Sequence, residues 1–214
     1  MVGRRRHLYV RPGLPRSGRL DGPYFGPGVY HLPMLHVHGD LKMADIWFIS
    51  DTHFFHSNIL KFLGDDGLPF RRFSSIEAMN EEIVDNWNKV VKPQDHVYHL
   101  GDVTFRYDRP FAELMSRLKG QKRLVIGNHD KLKNQALLKW FDKVMLWRGF
   151  KEFNFTAVHI PLELRRLRDG QFCVYGHIHQ NLEPDPHYIN LCVEHTNYAP
   201  VHIEDVRKMI KERS

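Results

Sequence analysis

Five short clusters of polar residues recur along the chain, and each stands at or just after the end of an apolar run. The clusters are Asp51-Thr-His53, Gly101-Asp102, Gly127-Asn-His-Asp130, His159 and Gly176-His-Ile-His179. In layered α/β proteins, ligand sites form at the carboxyl ends of strands, so clusters placed in this way can meet in one cleft. The pattern favours a fold in which short buried strands carry functional residues at their ends.

The apolar residues between the first clusters predict alternating strands and helices. The predicted strands are at 46–50, 96–100 and 123–126, and the predicted helices are at 76–91, 111–118 and 131–141. Ser74 and Glu77 form a Ser-x-x-Glu capping box, which predicts the start of the first helix.

The second half of the chain has a different pattern, in which short apolar runs follow one another with little helical periodicity. These runs predict strands at 144–149, 151–158, 172–176, 188–193 and 200–203, and a last helix at 204–212. Strands that alternate with helices, followed by a strand-rich half, predict an α/β (α+β) layer fold.

The first 44 residues differ from the rest in charge and composition. They contain seven basic and two acidic side chains, and therefore five of the six net positive charges of the 214-residue chain. They also contain seven Gly and five Pro residues without an apolar period, which predicts an irregular arm over 1–44. We therefore expect a nearly neutral folded domain over 45–214, and we interpret the arm as an appended segment.

Neither a membrane span nor a secretion signal is predicted. No run approaches the ~20 apolar residues that span a bilayer, and Gly and Pro follow the Arg-rich start where a signal peptide would be apolar. Cys173 and Cys192 lack Cys-x-x-Cys spacing and are interpreted as core residues. Few cysteines fit a reducing compartment, so the sequence favours a cytoplasmic protein without a membrane partner.

The clusters contain the ligand types of a borderline divalent metal. Carboxylate, imidazole and amide groups suit Mn, Fe, Zn or Ni. In Asp51-x-His53 and His177-x-His179, both side chains of a pair would point the same way if the backbone were extended. A single carboxylate can bridge two cations, and Asp102 is the best candidate for that role. Glycines that permit close backbone approach stand before Asp102, Asn128 and His177.

Together and in this order, the clusters resemble the signature of the calcineurin-like metallophosphoesterases over residues 45 to about 205. Ser50-Asp-Thr-His-Phe-Phe-His-Ser-Asn58 resembles the start of the small bacterial and phage-type branch of that family. The resemblance implies a four-layer αββα sandwich of two mixed sheets flanked by helices, with a dinuclear site between the sheets. It implies that one metal is held by Asp51, His53, Asp102 and His179, and the second by Asp102, Asn128, His159 and His177.

The resemblance also implies a metal-dependent hydrolase of phosphodiesters or phosphomonoesters. Two divalent cations, Mn in preference to Fe, Zn or Ni, would supply a metal-bound hydroxide, and His129 would be the general acid with Asp130 orienting it. The stretch Gly101-Asp-Val-Thr-Phe105 departs from the Gly-Asp-x-x-Asp of many members. The phosphate-clamping arginine of the phosphoprotein phosphatases has no clear match either, so a protein Ser/Thr phosphatase is disfavoured.

Four side chains near the clusters are candidates for substrate binding: His56, Arg106, Arg165 and Arg166. Each also has a structural interpretation, which is a helix-start or packing role for His56 and a solvated loop for the arginines. The expected partner is a phosphate ester, a class that includes nucleotides and nucleic acid. Two alternatives stay open, a nuclease for single-stranded nucleic acid and a non-catalytic scaffold that binds partners. A scaffold should have lost some ligands or His129, and none is missing.

Overall fold

The computed structural model describes residues 44–64 and 67–214, and all of the predicted arm except its last residue, Ala44, lies outside these residues. Within the described residues, the strands are β1 (Ile46–Ile49), β2 (His96–His99), β3 (Gln121–Val125), β4 (Lys143–Met145), β5 (Trp147–Phe150), β6 (Phe155–Val158), β7 (Phe172–Tyr175), β8 (Tyr188–Asn190) and β9 (Val201–His202). The α-helices are α1 (Ile76–Val90), α2 (Arg109–Arg117), α3 (Gln135–Leu138) and α4 (Ile203–Arg213). Turns of 3-10 helix lie at Ser57–Lys61, Lys151–Phe153, Leu164–Arg166 and Val193–His195.

The strands form two mixed sheets. The first has the order β4-β3-β2-β1-β9, in which β1 to β4 are parallel and β9 is antiparallel to β1. The second has the order β5-β6-β7-β8, in which β5 is antiparallel to β6 and the other pairs are parallel. The predicted sandwich of two mixed sheets flanked by helices is therefore confirmed.

Successive residues of the strands in the first sheet face opposite layers. Ile49 of β1 and Val97 of β2 pack in a core with helices α1 and α2 and with the segment around α3. Phe48 and Tyr98, their neighbours in sequence, pack against the second sheet. Because side chains alternate along a strand, both faces of this sheet are buried in apolar layers.

The remaining elements close the sandwich. Val206 and Ile210 of α4 join the core between the sheets. On the other face of the second sheet, Tyr175 belongs to a small cluster with Leu164 and Leu167. The outer layer here is thus a loop with one 3-10 turn, thinner than the helical layer over the first sheet. None of the helices in the described part of the chain is long and apolar enough to cross a membrane.

The single strand predicted at 144–149 is wrong. Lys143–Met145 ends in the first sheet, and Trp147–Phe150 begins in the second. Only Leu146 separates the two strands, and its side chain is 70% exposed. Both strands lie within one continuous apolar run. The sequence pattern therefore does not show at which residue the chain passes from the first sheet to the second.

Three other predicted elements differ from the structure by three residues or more at an end. The helix predicted at 131–141 is reduced to Gln135–Leu138. The strand predicted at 151–158 begins at Phe155 after a 3-10 turn, and the one predicted at 188–193 ends at Asn190 before another. Short 3-10 turns have no hydrophobic period of their own, which explains why the apolar runs merged them with the strands.

The cap of α1 is also one residue later than the sequence predicts. Ser75, not Ser74, has the extended backbone of an N-cap, and its Oγ accepts a hydrogen bond from the backbone N–H of Ala78 at 3.1 Å. Both serines precede an acidic residue in the first turn, so the sequence alone favours neither strongly.

The cap gives a test of the fold. We expect Ser75→Ala to lower the free energy of unfolding by about 1 kcal/mol, because the N–H of Ala78 loses its acceptor. Ser74→Ala is the matched control and should change it by no more than about 0.5 kcal/mol. Urea denaturation of both variants measures the difference, and equal destabilisation would contradict the assignment.

Candidate metal centre

The two sheets bring the polar clusters to one place. Asp51, Asp102 and Asn128 follow β1, β2 and β3 of the first sheet. His159 and His177 follow β6 and β7 of the second sheet. Parallel strands end at the same edge of a sheet, so each sheet presents its ligands at the carboxyl ends of its strands.

Two groups of side chains have ligand atoms within 4.8 Å of one another. The first consists of Asp51, His53 and His179, and the second of Asp102, His159 and His177. Either group can hold a metal ion. The sequence predicted the same partition of the histidines from the resemblance alone.

The carboxylate of Asp102 lies between the two groups. Its Oδ2 is 3.4 Å from Nε2 of His159 in its own group and 3.8 Å from Nε2 of His53 in the other. Asn128 also lies at the second group, since its Oδ1 is 2.8 Å from Nε2 of His159. The structure therefore brings together all seven side chains predicted as ligands.

Unpaired polar atoms at the first group fit a cation. Oδ1 of Asp51 and both ring nitrogens of His53 are buried and form no hydrogen bond with a described residue, although Nε2 of His53 lies 3.6 Å from that Oδ1. Leaving a buried polar atom unpaired costs roughly 1–3 kcal/mol, and more for a charged group. A bound divalent cation would remove this cost, and imidazole with carboxylate is the donor set that such ions take.

The pKa shifts of three of these side chains suit a metal, and that of His159 opposes one. Burial raises the pKa of the Asp102 carboxyl, but contacts with His159 outweigh it and the net shift is downward. The pKa of Asp51 is lowered in the same way, despite burial, by His53 and His159. Burial lowers the pKa of His53, whereas the contact with Asp102 overcomes burial and raises that of His159. Metal binding at His159 must therefore compete with a proton.

The backbone at the ligands is left-handed, which corrects the extended conformation assumed for the two i, i+2 pairs. Asp51 and His53 have φ values of 58° and 48°, and His177 and His179 have 76° and 51°. The members of the first pair serve one group, but His177 and His179 serve different groups. Residues other than glycine adopt this conformation rarely and at a cost of about 1–3 kcal/mol each, so packing and hydrogen bonds must hold them there.

All three predicted glycine positions are required by close approach. A Cβ on Gly101 would overlap the ring of His159 and the backbone of Gly127. A Cβ on Gly127 would overlap the carboxylate of Asp102. One on Gly176 would overlap the carboxylate of Asp51 and the hydroxyl of Ser50. The strand ends of the two sheets can therefore approach one another this closely only because these positions lack a side chain.

His129 lies at the mouth of the site. Its side chain is 48% exposed, and its Nε2 is 4.0 Å from Oδ2 of Asp102. Its ring contacts Phe105 with the centroids 4.9 Å apart. Its backbone N–H donates to Oδ1 of Asp102 at 2.9 Å, which ties the loop to the same carboxylate.

Asp130 has a different role from the one implied by the resemblance. Its carboxylate does not bind the ring of His129; it accepts backbone N–H groups of Asp102, Val103 and Gly127 at 2.9–3.0 Å. These donors belong to the loops after β2 and β3. Asp130 therefore joins the two loops and acts on His129 only through the backbone.

Arg71 and Glu194 belong to the site, although the sequence analysis did not select them. Arg71 is buried and donates to the backbone carbonyls of Asp51 and Thr52 at 2.5 and 3.0 Å. It also donates to Glu194 at 2.7 Å, and Glu194 lies 2.9 Å from Nδ1 of His179. Burial raises the pKa of Glu194, but Arg71 and His179 outweigh it and lower the pKa. No motif marks either residue, since Arg71 acts largely on backbone atoms.

The four predicted substrate contacts fall in different places. His56 lies at the site, where its ring stacks on Phe105 with centroids 4.0 Å apart, and burial lowers its pKa to about 4. Arg106 pairs with Asp108 and is exposed. Arg165 and Arg166 pair with Glu163 on the loop outside the second sheet, and the cavities that they line contain none of the metal ligands.

Two mixed sheets with two ligand groups at their strand ends define a metal-binding α/β sandwich. The profile of the calcineurin-like phosphoesterase superfamily domain matches residues 44–191. The chain belongs to this superfamily. The family is metal-dependent, and its members are phosphoesterases, so the class of reaction is hydrolysis of a phosphate ester.

The chain is also similar to individual proteins and to a solved structure. An uncharacterized protein of Methanocaldococcus jannaschii is 33% identical over 181 residues, which cover 80% of this chain and 94% of the relative. The crystal structure of a protein of unknown function from Aquifex aeolicus shows 30% identity and a TM-score of 0.62, covering 78% of this chain and 99% of that one. The gene 66 protein of Mycobacterium phage L5 is 29% identical over 93 residues, 41% of each chain.

The carboxylate of Glu194 gives a test of the site. We expect Glu194→Gln to weaken Mn²⁺ binding by roughly 10- to 100-fold, because it removes the charge that orients His179. Isothermal titration of the metal-free protein measures the affinity. The matched control is Glu152→Gln at an exposed position, which should bind Mn²⁺ as the wild type does. Wild-type affinity in a folded Glu194→Gln variant would contradict the role.

Proposed function

We propose that the chain hydrolyses phosphodiesters or phosphomonoesters with two divalent cations. The observation that carries this proposal is the position of Asp102, whose Oδ2 lies between Nε2 of His53 at 3.8 Å and Nε2 of His159 at 3.4 Å. A carboxylate between two histidine groups is suited to be shared by two ions. Among the carboxylates that the structure describes, Asp51 and Glu194 each pair with a histidine of one group only, so this role falls to Asp102.

The chain supplies a set of ligands for each cation. Asp51, His53, Asp102 and His179 would hold one, and Asp102, Asn128, His159 and His177 the other. When bound, two such ions offset the negative charge of the phosphate oxygens and lower the pKa of a water molecule toward neutrality. Mn²⁺ is the proposed ion, and Fe, Zn and Ni fit the same nitrogen and oxygen donors.

His129 is the proposed general acid. It is the half-exposed imidazole of the cluster, so a substrate can reach it, and its Nε2 faces the oxygen of Asp102 that lies between the groups. A protonated Nε2 would donate its proton to the leaving oxygen as a water molecule attacks phosphorus. Such a donor contributes roughly 10²- to 10⁴-fold to the rate. Phe105 and the loop held by Asp130 limit the movement of the ring.

The other possibilities are weaker. A non-catalytic scaffold is disfavoured because the ligands and His129 are all present and lie together. A protein Ser/Thr phosphatase stays disfavoured, since Arg106 is paired with Asp108 and does not reach the ligands. A cytoplasmic location stays a prediction. It was inferred partly from the two cysteines, which are free and buried.

His129 gives the first test of this function. We expect metal-loaded His129→Ala to hydrolyse methyl 4-nitrophenyl phosphate nearly normally, because 4-nitrophenolate leaves without a proton. It should lose roughly 10²- to 10⁴-fold on an ester with an alkyl leaving group. His187→Ala, an imidazole paired with Asp185 elsewhere, is the matched control and should retain both rates. An equal loss on both esters would contradict the role as an acid.

The domain boundary gives a second test. We propose that residues 45–214 contain the complete catalytic unit, because every ligand and both sheets lie within them. A chain that begins at Met43 should therefore hydrolyse bis(4-nitrophenyl) phosphate with Mn²⁺ at the full-length rate. Steady-state kinetics of the two chains makes the comparison, and a loss on truncation would assign a role to the arm.

A further inference from the structure

The crossover between the two sheets exposes an apolar surface beside the metal ligands. Leu146, Trp147 and Ile160 are 70%, 62% and 50% exposed. With Leu162 they line a groove of about 350 Å³ whose wall also includes Asn128 and His159. One end of this groove is therefore formed by ligands of the second group. The proposed hydrolysis does not account for the apolar part.

Trp147 also borders two clefts that are rich in cations. A cleft of about 310 Å³ lies between Trp147 and the side chains of Lys151, Arg166 and Arg168. Another, of about 420 Å³, is lined by Trp147 together with Arg123, Lys143 and Arg148. The three cavities share Trp147, so they lie next to one another around this side chain, with His159 in the wall of one and the basic side chains in the walls of the other two. We call the surface formed by these three cavities the Trp147 track.

Most of the charge along the track is not neutralised by the protein. Of its six cations, only Arg166 forms an ion pair with a described residue, at 3.7 Å from Glu163. Arg123 and Arg148 instead lie over the rings of Tyr98 and Phe150. A surface of this kind complements a polyanion.

The track has one exposed aromatic ring with cations on two sides, most of which form no ion pair within the described part of the chain. This combination indicates which kind of molecule can bind there. A second copy of the chain would bring the same cations against this face, and like charges would oppose that contact. An apolar peptide would leave the cations unused. Single-stranded nucleic acid uses both features, because bases stack on aromatic rings while basic side chains follow the phosphates.

We propose that the Trp147 track binds single-stranded nucleic acid and leads one of its backbone phosphodiesters to the metal ligands. A base stacks on Trp147, and Lys151, Arg166 and Arg168 bind phosphates on one side of it. This inference rests on the proposed function for the reaction itself. The hydrolysis consumes one water molecule and breaks one P–O ester bond, and it leaves a phosphomonoester on one fragment and a hydroxyl on the other.

Binding to a labelled twelve-nucleotide thymidine DNA tests the track without the reaction. The full chain is titrated in EDTA, and fluorescence anisotropy reports the affinity. Trp147→Ala should weaken binding by roughly 10-fold or more, and Trp147→Phe should recover most of it because a ring remains. Lys151→Gln should reduce the slope of log affinity against log salt by roughly 0.7, as expected for one lost phosphate contact.

Leu182→Ala is the matched control, because Leu182 is 67% exposed and does not line the track. It should bind the oligonucleotide as the wild type does. Equal affinity of Trp147→Ala and wild type would overturn the proposal and assign any binding to another part of the chain. A dimer in sedimentation that Trp147→Ala dissociates would also overturn it. If thymidine monophosphate competed as strongly as the twelve-nucleotide DNA, the track would be a pocket for a single nucleotide. This result would also overturn the proposal.

The reaction is measured separately, with bis(4-nitrophenyl) phosphate and Mn²⁺ on the wild-type chain. Hydrolysis of this diester without binding that depends on Trp147 would leave the proposed function intact and overturn the track. If the chain bound the DNA through Trp147 but hydrolysed no ester, the track would be supported as a binding surface and the proposed function would be contradicted.

Discussion

The buried carboxylate of Asp102 is the contact on which the arrangement of the site depends. Its Oδ1 accepts the N–H of His129, and its Oδ2 faces histidines that belong to both groups. A buried carboxylate needs donors or cations on all sides, since an unpaired one is costly in the protein interior. This requirement draws the loop after β3 and the strand ends of both sheets toward one side chain. Gly127 makes the approach possible, because any side chain there would occupy the position of the carboxylate.

A second buried network holds the backbone that the ligands need. The left-handed conformations of Asp51 and His53 are unfavourable by themselves, and Arg71 stabilises this stretch by binding the carbonyls of Asp51 and Thr52. Arg71 in turn requires an anion, which Glu194 supplies from the other end of the chain. Because Glu194 also contacts His179, a single carboxylate is paired both with the arginine that holds the strained backbone after β1 and with a ligand that follows the second sheet. Backbone strain at the candidate metal ligands is thus balanced by hydrogen bonds with Arg71 and Glu194, which are not themselves ligands.

The positions of the polar clusters after apolar runs predicted an α/β layer fold with functional residues near strand ends. The two-sheet sandwich and the set of ligands followed only from the resemblance of these clusters to the calcineurin-like family. The roles that depend on backbone atoms could not be predicted in this way. Asp130 binds three N–H groups and Arg71 two carbonyls, and neither kind of partner has a sequence pattern. The extended backbone assumed for the His177-x-His179 pair was also wrong, because the sequence pattern does not show that both residues have a left-handed backbone.

The crossover after Met145 connects the fold to the proposed substrate. A chain that changes sheets within one residue must expose the side chains at the turn, and Leu146 and Trp147 are exposed for this reason. The same short connection holds β4 and β5 beside the strand ends that carry Asn128 and His159. An aromatic surface next to the ligands is therefore a consequence of how the two sheets are joined. What the sequence adds is the basic side chains on each side of Trp147, and these make the surface complementary to a chain of phosphates instead of to another apolar face.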